Sequence, residues 1–229
     1  IHIPFGNCSY EGRLGGSCYQ QVTNTINKIY INNKSTKLSN PPNIDNATYF
    51  TNVFNTIQYL IQENYILSCH DISDGGLLIT ILEMAFTGNK GLDLNVSSEL
   101  MTEQFWFSEE LGVVIEVNDN YNDVITHFEQ TNIEYSLLGM STDDNTIDII
   151  YNGYVLINQH MTELRYQWER TSFELEKRQT RLYTLKQEEE LSKQINNISY
   201  FVTPNIISKL DYLRVQENAE NAETTMHRP

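Results

Sequence analysis

Apolar residues return along this chain with two alternating periods, and the alternation predicts an ordered series of helices and strands. Residues 47 to 64 carry Phe50, Val53, Phe54, Ile57, Leu60 and Ile61 at helical spacing, which predicts an amphipathic helix with these side chains on one face. A short apolar run, Ile66 to Cys69, follows as a buried strand end. Leu77, Leu78, Ile81, Leu82 and Ala85 then fall at helical spacing, with Gly88 placed to stop the helix. Leu92, Leu94 and Val96 alternate with polar residues as a half-buried strand, and Val113 to Val117 reads as a buried one. Tyr121, Val124, Ile125 and Phe128 form another helical stripe. Ile133 to Leu138 and Ile147 to Tyr151 read as strands, and Asn152-Gly153 is a hairpin turn into Tyr154 to Ile157.

The two ends of the chain read differently. Ile1 to Phe5 has the pattern of a strand, and Gly12 to Gly16 is a glycine-rich turn after which Ser17 caps a helix carrying Tyr19, Val22, Ile26 and Ile29. Residues 31 to 46 are a polar loop with Pro41-Pro42. From Met161 to Ser192 the chain is charged and helical, with Leu164, Trp168, Leu175, Leu182 and Leu185 at intervals and Glu–Lys or Glu–Arg pairs at helical spacing, the pattern of a solvated helix or linker. The order predicts an α/β (α+β) fold with helices packed on a mixed sheet in residues 1–160, a helical linker over 161–195, and an irregular tail over 196–229.

The chemistry concentrates in the strand-to-helix loop His70 to Gly76. A helix's first turn leaves backbone N–H groups unpaired and favours negative charge, and Gly75 and Gly76 allow a close approach to the backbone. Asp71 and Asp74 repel a bare phosphate, so a phosphate site here requires a hard cation between them. Magnesium, which takes carboxylate and phosphate oxygens together, suits that place, and Ser73 adds a hydroxyl. The plainer alternative is that Asp and Ser serve as helix caps and the glycines as a turn. The Gly12 to Gly16 turn lacks the Lys-Ser or Lys-Thr of a nucleoside-triphosphate P-loop, which favours a plain turn. Glu109 and Glu110 offer a metal or acid–base pair, yet adjacent residues rarely share a face.

His70-Asp71-Ile72-Ser73-Asp74-Gly75-Gly76-Leu77, followed by Glu83-Met84-Ala85-Phe86, resembles the large, multidomain phosphoribosylformylglycinamidine synthases without a gap. Three other stretches resemble the same family in order: Arg13-Leu14-Gly15-Gly16-Ser17 with Gln21-Val22, Phe107-Ser108-Glu109-Glu110-Leu111-Gly112, and Leu164-Arg165 with Trp168, Glu169, Thr171 and Ser172. Together they span roughly residues 12 to 190. The resemblance implies a domain like the C-terminal domain of aminoimidazole ribonucleotide synthetase, taken from the second synthetase half and running toward a glutaminase domain. Those enzymes convert formylglycinamide ribonucleotide to its amidine with ATP, Mg²⁺ and glutamine-derived ammonia: ATP phosphorylates the amide oxygen and ammonia displaces phosphate. Their second half carries an ATP/ADP and magnesium site of structural character. Carried over by position, Asp71 is the magnesium ligand and Ser73 touches the nucleotide, with Gly75 and Gly76 supporting it and no catalytic residue in this segment. An N-terminal synthetase portion and the glutaminase domain are then the missing partners. None of Cys8, Cys18 and Cys69 is flanked by glycines as a glutaminase nucleophile would be. A rival reading is a non-catalytic scaffold derived from the same domain.

Bulk properties narrow the partners. A net charge of −15, from 15 basic and 30 acidic residues, disfavours nucleic acid and anionic membranes, and no apolar run has the length of a membrane span. Three cysteines without CxxC spacing point away from disulfides and zinc, with Cys18 and Cys69 expected as packed thiols in a reducing cytoplasm. The wealth of Asn, Ile and Tyr looks like a compositional bias of the source genome.

Overall fold

The computed structural model describes residues 1–6, 10–23, 40–118 and 121–193. Cys8, the expected continuation of the first helix to Ile29, and the tail at 196–229 lie outside the described residues. The elements run β1 (His2–Pro4), α1 (Cys18–Thr23), α2 (Ala47–Gln62), β2 (Ile66–Asp71), α3 (Gly76–Gly88), β3 (Gly91–Val96), α4 (Thr102–Phe107), β4 (Gly112–Val117), α5 (Tyr121–Thr131), β5 (Gly139–Thr142), β6 (Thr146–Tyr151), β7 (Tyr154–His160), α6 (Met161–Glu176) and α7 (Leu182–Lys193). The expected α/β class is thus met, but the strands divide into two sheets. One is antiparallel in the order β1-β4-β2; the other, in the order β5-β3-β6-β7, is mixed, with β3 and β6 parallel and the remaining pairs antiparallel.

Two cores form, and β4 contributes to both, Val113 and Ile115 to one and Val114 to the other. Val113 and Ile115 of β4 meet Val53, Ile57 and Leu60 of α2 and Val124 and Phe128 of α5. Leu94, Val96, Ile147, Ile149 and Tyr151 of the mixed sheet pack against Leu77, Leu78, Ile81, Leu82, Ala85 and Phe86 of α3, with Phe105 and Trp106 of α4 between. α3 is therefore apolar over most of its surface, whereas α2 has a single buried stripe. At the hairpin, Asn152 and Gly153 both take positive φ (51° and 79°), the conformation that a two-residue turn matched to the strand twist requires.

Several expectations are corrected. Phe54 and Ile61, expected on the buried face of α2, are exposed, and Tyr49 and Thr56 are buried there instead, because a single stripe of the helix meets the core. β2 is an edge strand with alternating burial rather than a buried strand end: Leu67 and Cys69 are exposed, since no further strand covers that side of the sheet. Cys18 is only half-buried, so neither thiol is a packed core group. Val22 is likewise exposed on the six-residue α1.

Gly88 remains helical, and it is Asn89 (φ 49°) that turns the chain out of α3. Ile133 to Leu138 is not a strand. Ile133 and Leu138 are anchored one in each core, and between them a lone bridge joins Ser136 to His2 before β5 begins at Gly139. Phe105-Trp106-Phe107 forms the second half of α4.

Candidate functional site

Three connections converge at the N-terminal end of α3: the glycine turn at 12–17, the loop 72–75 after β2, and the segment 108–111 between α4 and β4. β2 delivers Asp71 at its end, paired in register with Val113 of β4, and the Ile72 amide donates to the Gly112 carbonyl at 2.9 Å. The chain then turns. Gly75 (φ 92°) is the N-cap of α3 and Gly76 (φ 75°) its first residue; no side chain caps the helix. The capping role weighed for Asp74 and Ser73 is therefore not the one they fill.

The turn's geometry is set by neighbours. A Cβ on Gly76 would stand 2.7 Å from both the Phe107 carbonyl carbon and the Ser108 oxygen, so this glycine admits a crossing backbone. The Gly76 amide donates to the Ser73 carbonyl at 3.0 Å. Thr80 Oγ1 donates to the carbonyls of Gly76 (3.1 Å) and Asp71 (3.3 Å). The Asp71 carboxylate points away from this packing, with its side chain 81% exposed. His70 lies 3.5 Å from it through Nδ1, and its Nε2 stands 3.3 Å from Glu83 of α3.

The two adjacent glutamates serve different partners, as the face argument expected. Glu110 is buried and takes Arg13 bidentately, Nε to Oε1 at 2.7 Å and an η nitrogen to Oε2 at 2.8 Å, while Asp45 accepts from the other η nitrogen at 2.9 Å. Glu110 and, more weakly, Asp45 hold the guanidinium firmly charged. Glu109 turns the other way: its Oε1 accepts the Cys18 amide at 2.8 Å and the Gly75 amide at 2.9 Å. Ser17 takes the Gln20 amide on its hydroxyl at 3.4 Å, the cap expected of it.

Cys18, Asp74 and Glu109 thereby bring a sulfur and two carboxylates within 4.8 Å of one another. Burial, and then the Glu109 and Asp74 charges, push the Cys18 thiol up, so it stays protonated. A thiol suits softer metals than magnesium, whereas the exposed Asp71 carboxylate is an oxygen donor of the kind magnesium takes. Asp71 ends β2, Ser73 lies in the connecting loop, Gly75 is the N-cap of α3 and Gly76 its first residue. The sequence alone missed Arg13 and Asp45, which become legible only through their spatial partner Glu110.

A family model described as AIR synthase related protein, C-terminal domain, matches residues 23–152. The chain is 37% identical over 180 residues, 78% of its length, to an Arabidopsis thaliana protein named probable phosphoribosylformylglycinamidine synthase, chloroplastic/mitochondrial. It is 31% identical over 216 residues, 87% of its length, to a Caenorhabditis elegans protein named probable phosphoribosylformylglycinamidine synthase. It spans only 12% and 15% of those relatives. A solved structure described as T. maritima PurL complexed with FGAR shares the fold at a TM-score of 0.51 and 13% identity, over 71% of this chain and 27% of that one. No helix among the described residues is long and apolar enough to cross a membrane. With the family model covering more than half of its 229 residues, this chain belongs to the AIR synthase related protein, C-terminal domain family.

Proposed function

We propose that the chain forms part of a phosphoribosylformylglycinamidine synthase, an ATP- and glutamine-dependent carbon–nitrogen ligase of purine biosynthesis, and that its own contribution is a nucleotide and magnesium site on the 71–76 turn. The observation that carries this reading is the outward Asp71 carboxylate, 81% exposed, beside a helix N-terminus that no side chain caps. A solvent-facing carboxylate next to a helix end without a side-chain cap is a poor device for stability and a good one for holding a hydrated divalent cation against a phosphate. Asp71 would hold the magnesium, Ser73 would contact the nucleotide, and Gly75 and Gly76 would support the turn. Bound there, magnesium would supply the positive charge that lets a polyphosphate approach a chain of net charge −15. The same reading assigns the remainder of the site to an N-terminal synthetase portion, ammonia supply to a glutaminase domain, and the whole to a reducing compartment such as the cytoplasm.

Calorimetry of ADP binding, with and without Mg²⁺, on wild type and Asp71→Asn tests the site. Weak, magnesium-dependent binding that is lost in Asp71→Asn is the expected outcome. Binding indifferent to magnesium or to the substitution would remove Asp71 from the site, and a folded chain that binds no ADP would favour the scaffold role. Expressed alone in a purine-requiring strain, the chain should not restore growth.

A further inference from the structure

Glu109 takes no part in the nucleotide site as assigned above, yet it is the point at which that site is tied to the rest of the fold. The segment around it is crowded. Phe107 and Ser108 press against Gly76, the Ser108 hydroxyl donates to the Arg13 carbonyl at 2.7 Å, and Glu110 anchors the Arg13 side chain. One glycine turn is thus fixed at its start by Glu110. Its end, at the Cys18 amide, shares a single carboxylate oxygen with the Gly75 amide of the other turn, at 2.8 and 2.9 Å.

We infer that Glu109 is a positioning residue for the nucleotide turn: its carboxylate clasps the Leu14–Cys18 turn to the Ser73–Gly76 turn, so that binding at Asp71 and Ser73 depends on a residue outside the ligand's reach. The inference rests on the nucleotide reading. Between the Ile72 amide on Gly112 and the buried Leu77, Gly75 is the residue through which this turn is bonded to a distant part of the chain. The Gly76 to Ser73 bond sets the turn's shape, and the Ser73 amide on Thr80 Oγ1 ties it to the adjoining α3 rather than to a distant part of the chain. Donation to an ionised carboxylate is stronger than to a neutral acceptor, and one oxygen serving two amides makes the turns move as one. Releasing it frees Gly75, whose left-handed φ is held by its surroundings rather than by a side chain, and the placement of Ser73 against Asp71, which the β2–β4 ladder holds, is lost.

The test compares Glu109→Ala and Glu109→Gln with wild type in the full chain, reading amide hydrogen exchange at Gly75 and Cys18 by NMR and Mg²⁺-ADP affinity by calorimetry. In Glu109→Ala both amides should exchange at least about tenfold faster, with the amides of β4 and β6 unchanged, and Mg²⁺-ADP affinity should fall by a similar factor. Glu109→Gln, which keeps an acceptor oxygen, should recover part of both losses, an outcome that general destabilisation would not produce. If Glu109→Ala does not fold, the Gln variant carries the comparison, with partial losses expected. Wild-type Mg²⁺-ADP binding that both variants leave unchanged overturns the clasp while the nucleotide site stands. Absence of wild-type binding brings down the nucleotide reading, and with it this role for Glu109.

Discussion

Asparagine takes a backbone role in this chain that glycine more often fills. Among the described residues, those other than glycine with positive φ are Asn64, Asn89, Asn132, Asn145 and Asn152, at helix ends and strand turns. Asn tolerates the left-handed region better than other residues with a Cβ, so an Asn-rich composition can supply turns without glycine. The glycines that remain are separable by what surrounds them. Gly16 (φ 81°) has open space where a Cβ would go, so Gly16→Ala should destabilise by about 1 kcal/mol, the conformational term alone. Gly76→Ala adds a collision with the 107–108 backbone and should destabilise by about 3 kcal/mol, read from urea unfolding midpoints.

His2 sets a pH dependence at the same scale. It is 1% exposed, stacked edge-on against Tyr10, with both ring nitrogens unpaired. Burial lowers its pKa from 6.5 to about 3. The unfolded chain therefore takes up a proton as pH falls below 6.5 while the folded chain refuses it until about 3, so the His2 contribution is intact above 6.5 and is lost progressively between these values. His2→Phe should narrow the difference in urea midpoint between pH 7 and pH 4 relative to wild type; an unchanged difference would place that sensitivity elsewhere.

At the scale of elements, α6 shows how a charged helix is seated by a few contacts. Met161 at its start is fully buried in the α3 core, Arg165 donates to the Phe86 carbonyl at 3.3 Å, and the Trp168 ring lies against Phe86. Arg165 also pairs with Glu169 at 2.8 Å along the helix, one of the expected helical-spacing pairs. Tyr166 and Leu175 of this helix stay exposed, and after the turn at 177–181 Leu185 of α7 is buried again. Met161→Ala should lower stability by about 2–5 kcal/mol, as for a core residue, and should raise hydrogen exchange in α6 before it does so in β6. An effect below 1 kcal/mol would mean that α6 is held elsewhere.

Across the molecule, one buried cation links loops that are remote in sequence. Arg13 joins the first glycine turn to Glu110 before β4 and to Asp45 and the Asn43 carbonyl ahead of α2. Its side chain and that of Glu110 are 8% and 6% exposed, so removing either charge leaves the other buried without its main partner. Glu110→Gln should therefore destabilise by about 3 kcal/mol, whereas Lys90→Ala, which loses only the exposed pair with Asp143, should change the urea midpoint little. Equal effects would contradict the burial argument.

Much of this was legible in one dimension because it depends on local periodicity. The helical spacing of Leu77 to Ala85, the alternation of Leu92 to Val96, the Asn152-Gly153 turn and the gapless 70–77 stretch each carry their signal in consecutive residues. The sequence by itself determined the α/β class, the family and most of the helices and strands, though not the helix at Thr102–Phe107 or the absence of a strand at 133–138. Tertiary structure alone decided that the strands part into two sheets, that β2 is an edge with Cys69 outward, and that Ile133 to Leu138 is a tether between two cores. It also decided that Glu109 and Glu110, identical neighbours in the sequence, go to Gly75 and to Arg13 respectively. The physical reason is range: a periodic pattern is a property of one segment, whereas burial, sheet order and the partner of a charge depend on which distant segment packs against it.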